Sequence, residues 1–141
     1  MNLLGANLLY LLAGLLALTI LLVLYVIFKT VFRKKKLSSS DLTFIRSKWD
    51  EIGRELAGNS KLAVLEADKL LDYTLGKLGK KGNLGEKLRN SKKLFSDLNA
   101  VWAAHKLRNR IAHEVSLELA PTEAAKAIRN FERALRDLKA L

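Results

Sequence analysis

Cysteine is absent from this chain of 141 residues, which excludes a disulfide framework and a thiolate zinc site. That absence also accords with a reducing cytoplasm. Proline occurs once, at Pro121. The first 36 residues hold no acidic side chain. No stretch alternates apolar and polar residues with a period of two, so no sheet is expected. Repeats of solenoid length are missing as well. There is no nucleophile-elbow sequence and no aromatic-basic signature of an RNA-binding domain.

What is present begins with an apolar run. From Leu8 to Phe28 only Thr19, Tyr10 and Tyr25 bring polar atoms. At about 1.5 Å per residue such a run crosses a hydrocarbon layer of about 30 Å. A secretory signal peptide is the alternative. It fits worse, because no basic residue precedes the run, the run is too long, and no small-residue cleavage site comes before the basic cluster. Residues 1–28 are therefore read as an uncleaved single-pass anchor and 29–40 as a basic juxtamembrane linker. Lys29, Arg33, Lys34, Lys35 and Lys36 follow the span, whereas the seven residues before Leu8 carry no side-chain charge. The positive-inside rule then places the N-terminus outside the cell (inner) membrane and residues 41–141 in the cytoplasm. The five cations act first as a stop-transfer flank. Attraction to anionic lipid, about 1 kcal/mol per charge, is a by-product.

The net charge of +11 divides unevenly. Outside the juxtamembrane cluster, 20 basic groups face 14 acidic ones, a net of +6. That balance favours a polyanionic partner without establishing one.

Residues 41–141 read as a cytoplasmic bundle of four helices, giving an all-α fold with an N-terminal transmembrane helix. Helix one spans about 41–57, after a Ser38-Ser39-Ser40 hinge that can cap it. Gly58-Asn59-Ser60 ends it and offers the next cap. Helix two covers about 61–78 and carries Asp68 inside its apolar stripe. A glycine-punctuated loop follows, with Gly76, Gly79, Gly82 and Gly85. It lacks the Walker spacing and any preceding strand, so its lysines are read as a solvated loop. Helix three is expected over about 90–114. Helix four starts near Pro121, at a first-turn position.

The third helix carries the feature richest in chemistry. On a helical wheel Leu94, Leu98, Val101 and Trp102 form an apolar stripe, which His105, Arg108, Asn109, Ala112 and His113 then continue. A second face, Ala100, Ala104, Leu107 and Ile111, is wholly apolar. Polar groups on such a strip need partners, ligand or water, because burying them unpaired is costly. Trp49 and Trp102 are read as core. Arg110 and Glu114 make a surface pair at i, i+4 spacing.

The order Arg108-Asn109, three residues, then His113, late in a small all-α bundle, resembles the HEPN superfamily, whose members carry an Arg, a polar residue, a short spacer and a His. The segments WAAHKLRNRIAHE and EAAKAIRNFERAL also look like those of prokaryotic membrane-anchored proteins with a HEPN-like bundle. The resemblance covers roughly residues 41–141. It implies a metal-independent endoribonuclease without cofactor, working as a homodimer on RNA with two motif copies face to face. Some HEPN domains have instead lost activity and serve as binding modules. In the nuclease reading His113 is the base or acid, Arg108 holds the phosphate, and Asn109 orients the imidazole. A two-fold axis supplies the second acid/base group. In the other reading Arg108 pairs with Asp68 inside one bundle, and Asn109 and His113 bond within it or cap backbone. In either reading His105 is an interface or network residue, supporting the site with Asp68, rather than a catalyst. Zinc is not expected, since His105 and His113 lie eight residues apart with too few further ligands.

Overall fold

A computed structural model describes residues 3–31 and 35–141. The chain divides into two units between residues 34 and 35. All regular structure among the described residues is helical.

The first unit contains α1, Leu3–Val31. Within it Leu9–Lys29, 21 residues, is long and apolar enough to cross a membrane. Its large side chains lie open all round the helix, Leu11 at 71% and Phe28 at 62% exposure. A helix apolar on every face has no aqueous side to present. Its polar exceptions are handled locally. Thr19 Oγ1 donates to the Leu16 carbonyl at 2.8 Å, and the Lys29 ammonium lies over the Tyr25 ring at 5.9 Å.

The second unit is built from α2 (Ser39–Gly58), α3 (Ser60–Lys77), a short α4 (Leu84–Arg89), a 3₁₀ turn (Lys92–Leu94), α5 (Leu98–His113) and α6 (Pro121–Asp137). Ser38 caps α2 in a reciprocal box. Its hydroxyl accepts the Asp41 N–H at 3.1 Å, and Asp41 Oδ2 accepts the Ser38 N–H at 3.1 Å. One residue, Asn59, both ends α2 and starts α3. Its N–H reaches the Glu55 carbonyl at 2.7 Å, and its side-chain oxygen accepts from Leu62 at 3.0 Å. So short a joint forces α2 and α3 to run antiparallel. The end of α3 returns to the start of α2, where Lys77 Nζ meets Asp41 Oδ1 at 2.9 Å.

Helix α3 is the axis of the unit and packs against α2, α5 and α6. It buries Ala63, Val64, Ala67, Leu71 and Leu75. Pro121 occupies the first turn of α6, which buries Ala124, Ala127, Ile128, Phe131, Ala134 and Leu135. The expected apolar face of α5 is partly realised: Ala104 and Leu107 are buried, Ala100 and Ile111 half-buried. Asn130 joins α6 to α5 by donating to the Ala100 carbonyl at 3.1 Å. Both tryptophans are half-buried and pack on the core.

Two boundaries differ from the sequence expectation. The glycine loop is shorter than expected, because Gly76 is helical and Asn83 and Glu86 form a second capping box that starts α4. Gly79, at φ +83°, closes α3 in the left-handed region. There the Lys80 N–H reaches the Leu75 carbonyl at 3.0 Å. The expected third helix is also interrupted. Phe95 is extended and buried, Ser96 N–H donates to Asp137 Oδ2 at 2.8 Å, and Asp97 recaps the chain at Leu98. Burying the Phe95 ring and satisfying these caps outweighs continuing the helix. Leu94 consequently leaves the stripe and is 41% exposed.

Two outcomes are expected for the full chain in neutral lipid discs, followed by the fluorescence of Trp49 and Trp102, both in the second unit. Phe131→Ala, at a site with 0% exposure, costs about 3–5 kcal/mol in urea unfolding. An effect under about 1 kcal/mol contradicts this core. The second outcome concerns pH. The Ser38 hydroxyl, then Lys77 and the Ser38 N–H, hold the Asp41 carboxyl down to about 2. A lowered folded value means the stabilisation is complete above the ordinary carboxylate range and disappears as pH falls from about 4 to about 2. Asp41→Asn should flatten that part of the stability profile. An unchanged profile refutes the link.

Candidate functional site

The polar strip of α5 faces α3 across an open cleft of about 540 Å³, lined by Asp68, Asp72, Asn83, Gly85, His105, Arg108 and Asn109 among others. Asp68 sits in the buried stripe of α3 at 4% exposure. Both of its oxygens are engaged. His105 Nδ1 lies 2.7 Å from Oδ1, and Arg108 Nε lies 3.2 Å from Oδ2. The Arg108 contact is an ion pair rather than a hydrogen bond, because the N–H is not aimed at the oxygen and Nε is buried without another partner. Arg108 Nη1 instead donates to Asn109 Oδ1 at 3.1 Å.

These contacts determine the proton positions. Asp68 accepts, so His105 carries its proton on Nδ1. Asn109 Oδ1 accepts from Arg108, so its amide nitrogen is the donor that faces His105 Nε2 at 3.4 Å. Both ring nitrogens of His105 thus have a neighbour, Asp68 at Nδ1 and Asn109 at Nε2. Trp102 supports the ring edge-on, with centroids 5.8 Å apart. Gly85 of α4 lies against this layer, where a Cβ would sit in contact with the Trp102 ring at 3.4 Å.

Of the residues singled out in the sequence, Asp68, His105, Arg108 and Asn109 come together. His113 does not join them. It is the last residue of α5, exposed, and without a hydrogen-bond partner among the described residues. Five residues of helix place it about 7.5 Å further along the axis than Arg108. Ala112 is exposed too, so the strip ends at Asn109. Arg110 contacts Glu114 at 3.5 Å, as its spacing implied, and also Glu123 at 3.1 Å. In the basic cluster, Lys29, Lys35 and Lys36 are exposed, while Arg33 and Lys34 lie outside the described residues.

Reading along the chain missed α4, whose start (Asn83, Leu84, Gly85) lines the cleft and whose Lys87 is tied to Asp72. Lys87 of α4 is buried at 8% exposure and donates to Asp72 Oδ1 at 2.8 Å and to the Asp72 carbonyl at 3.1 Å. The Asn83-x-x-Glu86 capping pattern was a signal for α4, and hence for Lys87. A second groove of about 570 Å³ lies between α2 and α3, floored by Ile52, Leu70 and Tyr73. Of the charges lining it, Lys48 pairs with Glu51 and Lys69 with Glu66, while Arg54 and Glu55 form no ion pair among the described residues. Among the described residues no three His, Asp or Glu side chains converge as a metal site. The chain matches no family model, no curated protein and no solved structure.

Asp68→Ala strands the Arg108 charge and removes the acceptor for His105. Arg108 is 29% exposed and can turn partly to water, so a loss of about 2–4 kcal/mol is expected. His105→Ala should cost less, and the two losses should be non-additive by about 1 kcal/mol or more in a double-mutant cycle. Strictly additive losses contradict the network.

Proposed function

We propose that this chain is a single-pass membrane protein presenting a HEPN-like helical bundle to the cytoplasm, and that the polar strip of each bundle is an architectural network in an interaction module. The observation that carries this reading is Asp68. Its carboxylate takes both His105 and Arg108, so the cation a phosphate would need is already neutralised inside one bundle. His113, the acid/base group of the motif, stands apart from that network. Lys29, Lys35 and Lys36, which end or follow the apolar segment in sequence, support the cytoplasmic orientation.

A second reading, a metal-independent endoribonuclease acting as a homodimer, has a specific observation in its favour. Arg108 and Asn109 line an open cleft, and the exposed His113 is free to meet a second bundle. A composite site across a two-fold axis would need that freedom.

The test uses the full chain in lipid discs, with labelled structured RNA, chelator and neutral pH, beside His113→Ala and His105→Ala. The architectural reading expects intact RNA with all three proteins and a loss of stability for His105→Ala alone. Cleavage by the parent that His113→Ala abolishes and His105→Ala retains would overturn it and establish the nuclease.

A further inference from the structure

The bundle is electrically polar along its length. The start of α2, the connection from α3 to α5 and the end of α6 share one end, as the Lys77–Asp41 and Ser96–Asp137 contacts require. The α2–α3 joint and the α5–α6 loop lie at the other. Across residues 76–97, at the first end, seven basic groups face two acidic ones. At the second, residues 110–123 set Arg110 against Glu114, Glu118 and Glu123, and the α2–α3 joint adds Arg54, Glu55 and Lys61, so no excess of cations gathers there.

Much of the charge at the basic end is uncommitted. Lys77 pairs with Asp41, and Lys87 with Asp72. Lys35, Lys36, Lys80, Lys81, Lys92 and Lys93 form no ion pair among the described residues, and all but the half-buried Lys80 are exposed. The tertiary fold joins two stretches that are far apart in sequence. A Cβ at Gly79 would come within 3.1 Å of the Lys35 side chain, so the lysine loop after α3 packs against the residue where the bundle begins. Lys35 stands six residues after Lys29, the end of the apolar segment.

We propose that this end of the bundle is a docking surface for anionic lipid headgroups, with the α3–α4 loop (Lys80, Lys81) and the 3₁₀ turn (Lys92, Lys93) extending the juxtamembrane lysines. This rests on the reading of α1 as a membrane anchor. Unpaired lysines on short, exposed turns suit a sheet of phosphates and carboxylates. They bind as point charges and need no fixed geometry. The position of the patch favours lipid over RNA, because its α3–α4 loop packs on Lys35, six residues in sequence after the end of the apolar segment. The opposite end carries no such excess of cations, so a negatively charged leaflet would orient the bundle as well as attract it.

The experiment is hydrogen exchange on the full chain in discs of phosphatidylcholine, with and without about one-third phosphatidylserine, a fraction that gives a strongly negative surface. Exchange across 78–83 and 90–94 should slow by on the order of threefold with the anionic lipid, while 114–120 stays unchanged. In 1 M salt, where screening acts over about 3 Å, the effect should vanish. A Lys80→Gln/Lys81→Gln/Lys92→Gln/Lys93→Gln variant should lose it at low salt. Equal exchange in both lipids overturns the proposal. So does equal protection in phosphatidylcholine discs from inorganic phosphate or from an RNA oligonucleotide, which would identify a soluble anion as the ligand. Alkaline extraction from phosphatidylcholine vesicles tests the anchor separately. A protein that resists extraction yet shows equal exchange overturns the docking alone, and one that is extracted overturns the anchor beneath it.

Discussion

A carboxylate buried at 4% exposure in the middle of α3 is the constraint around which the second unit is arranged. An ionised Asp68 cannot remain in an apolar layer without partners, because desolvation costs far more than any single contact returns. Its two oxygens therefore require a proton donor and a cation from the neighbouring helix. With α3 and α5 antiparallel, His105 and Arg108, three residues apart on one face, deliver both. That pairing sets the register of α5 on α3. It also leaves Asn109 to bridge Arg108 and His105, so the α5 side chains of the layer connect with one another as well as with Asp68.

The same register determines what the cleft can do. His105 is oriented between Asp68 and Asn109, while Arg108 gives its Nη1 hydrogen to Asn109 and sets its charge beside Asp68. These groups are held rather than poised, and any ligand entering from solvent competes with partners already in place. The loop after α3 and the 3₁₀ turn carry cations with no such partners among the described residues. Committed charge in the middle of the bundle and uncommitted charge at one end are two uses of the same residue types. What separates them is burial.

Much of the fold could be read along the chain because it is set by local rules. The apolar span, the Ser38 cap, the Asn59 joint and the Pro121 start all depend on residues within four positions of one another. The breaks at 78–83 and 95–97 were harder. There a helical pattern was overridden by partners distant in sequence, Asp137 for Ser96 and the core for Phe95. Spacing alone could nominate Asp68 as a partner for Arg108, since a lone carboxylate on an apolar stripe needs a cation. It assigned His105 to a network, but left His113 open between the chemistry and that same network. Both fall on the same strip of the wheel, and only the length of α3 and the place where α5 ends decide which one has a neighbour.

The sequence by itself determined the helical content, the apolar segment, the basic balance and the small set of polar residues that had to be explained. These follow from periodicity, capping and charge, which act over one or two turns. Tertiary structure alone decided that Asp68 takes His105 as well as Arg108, that His113 stands outside the network, and that Lys35 meets the loop after α3. Each of those outcomes depends on how far one helix runs past another. That distance is set by core packing, summed over residues that no local pattern connects.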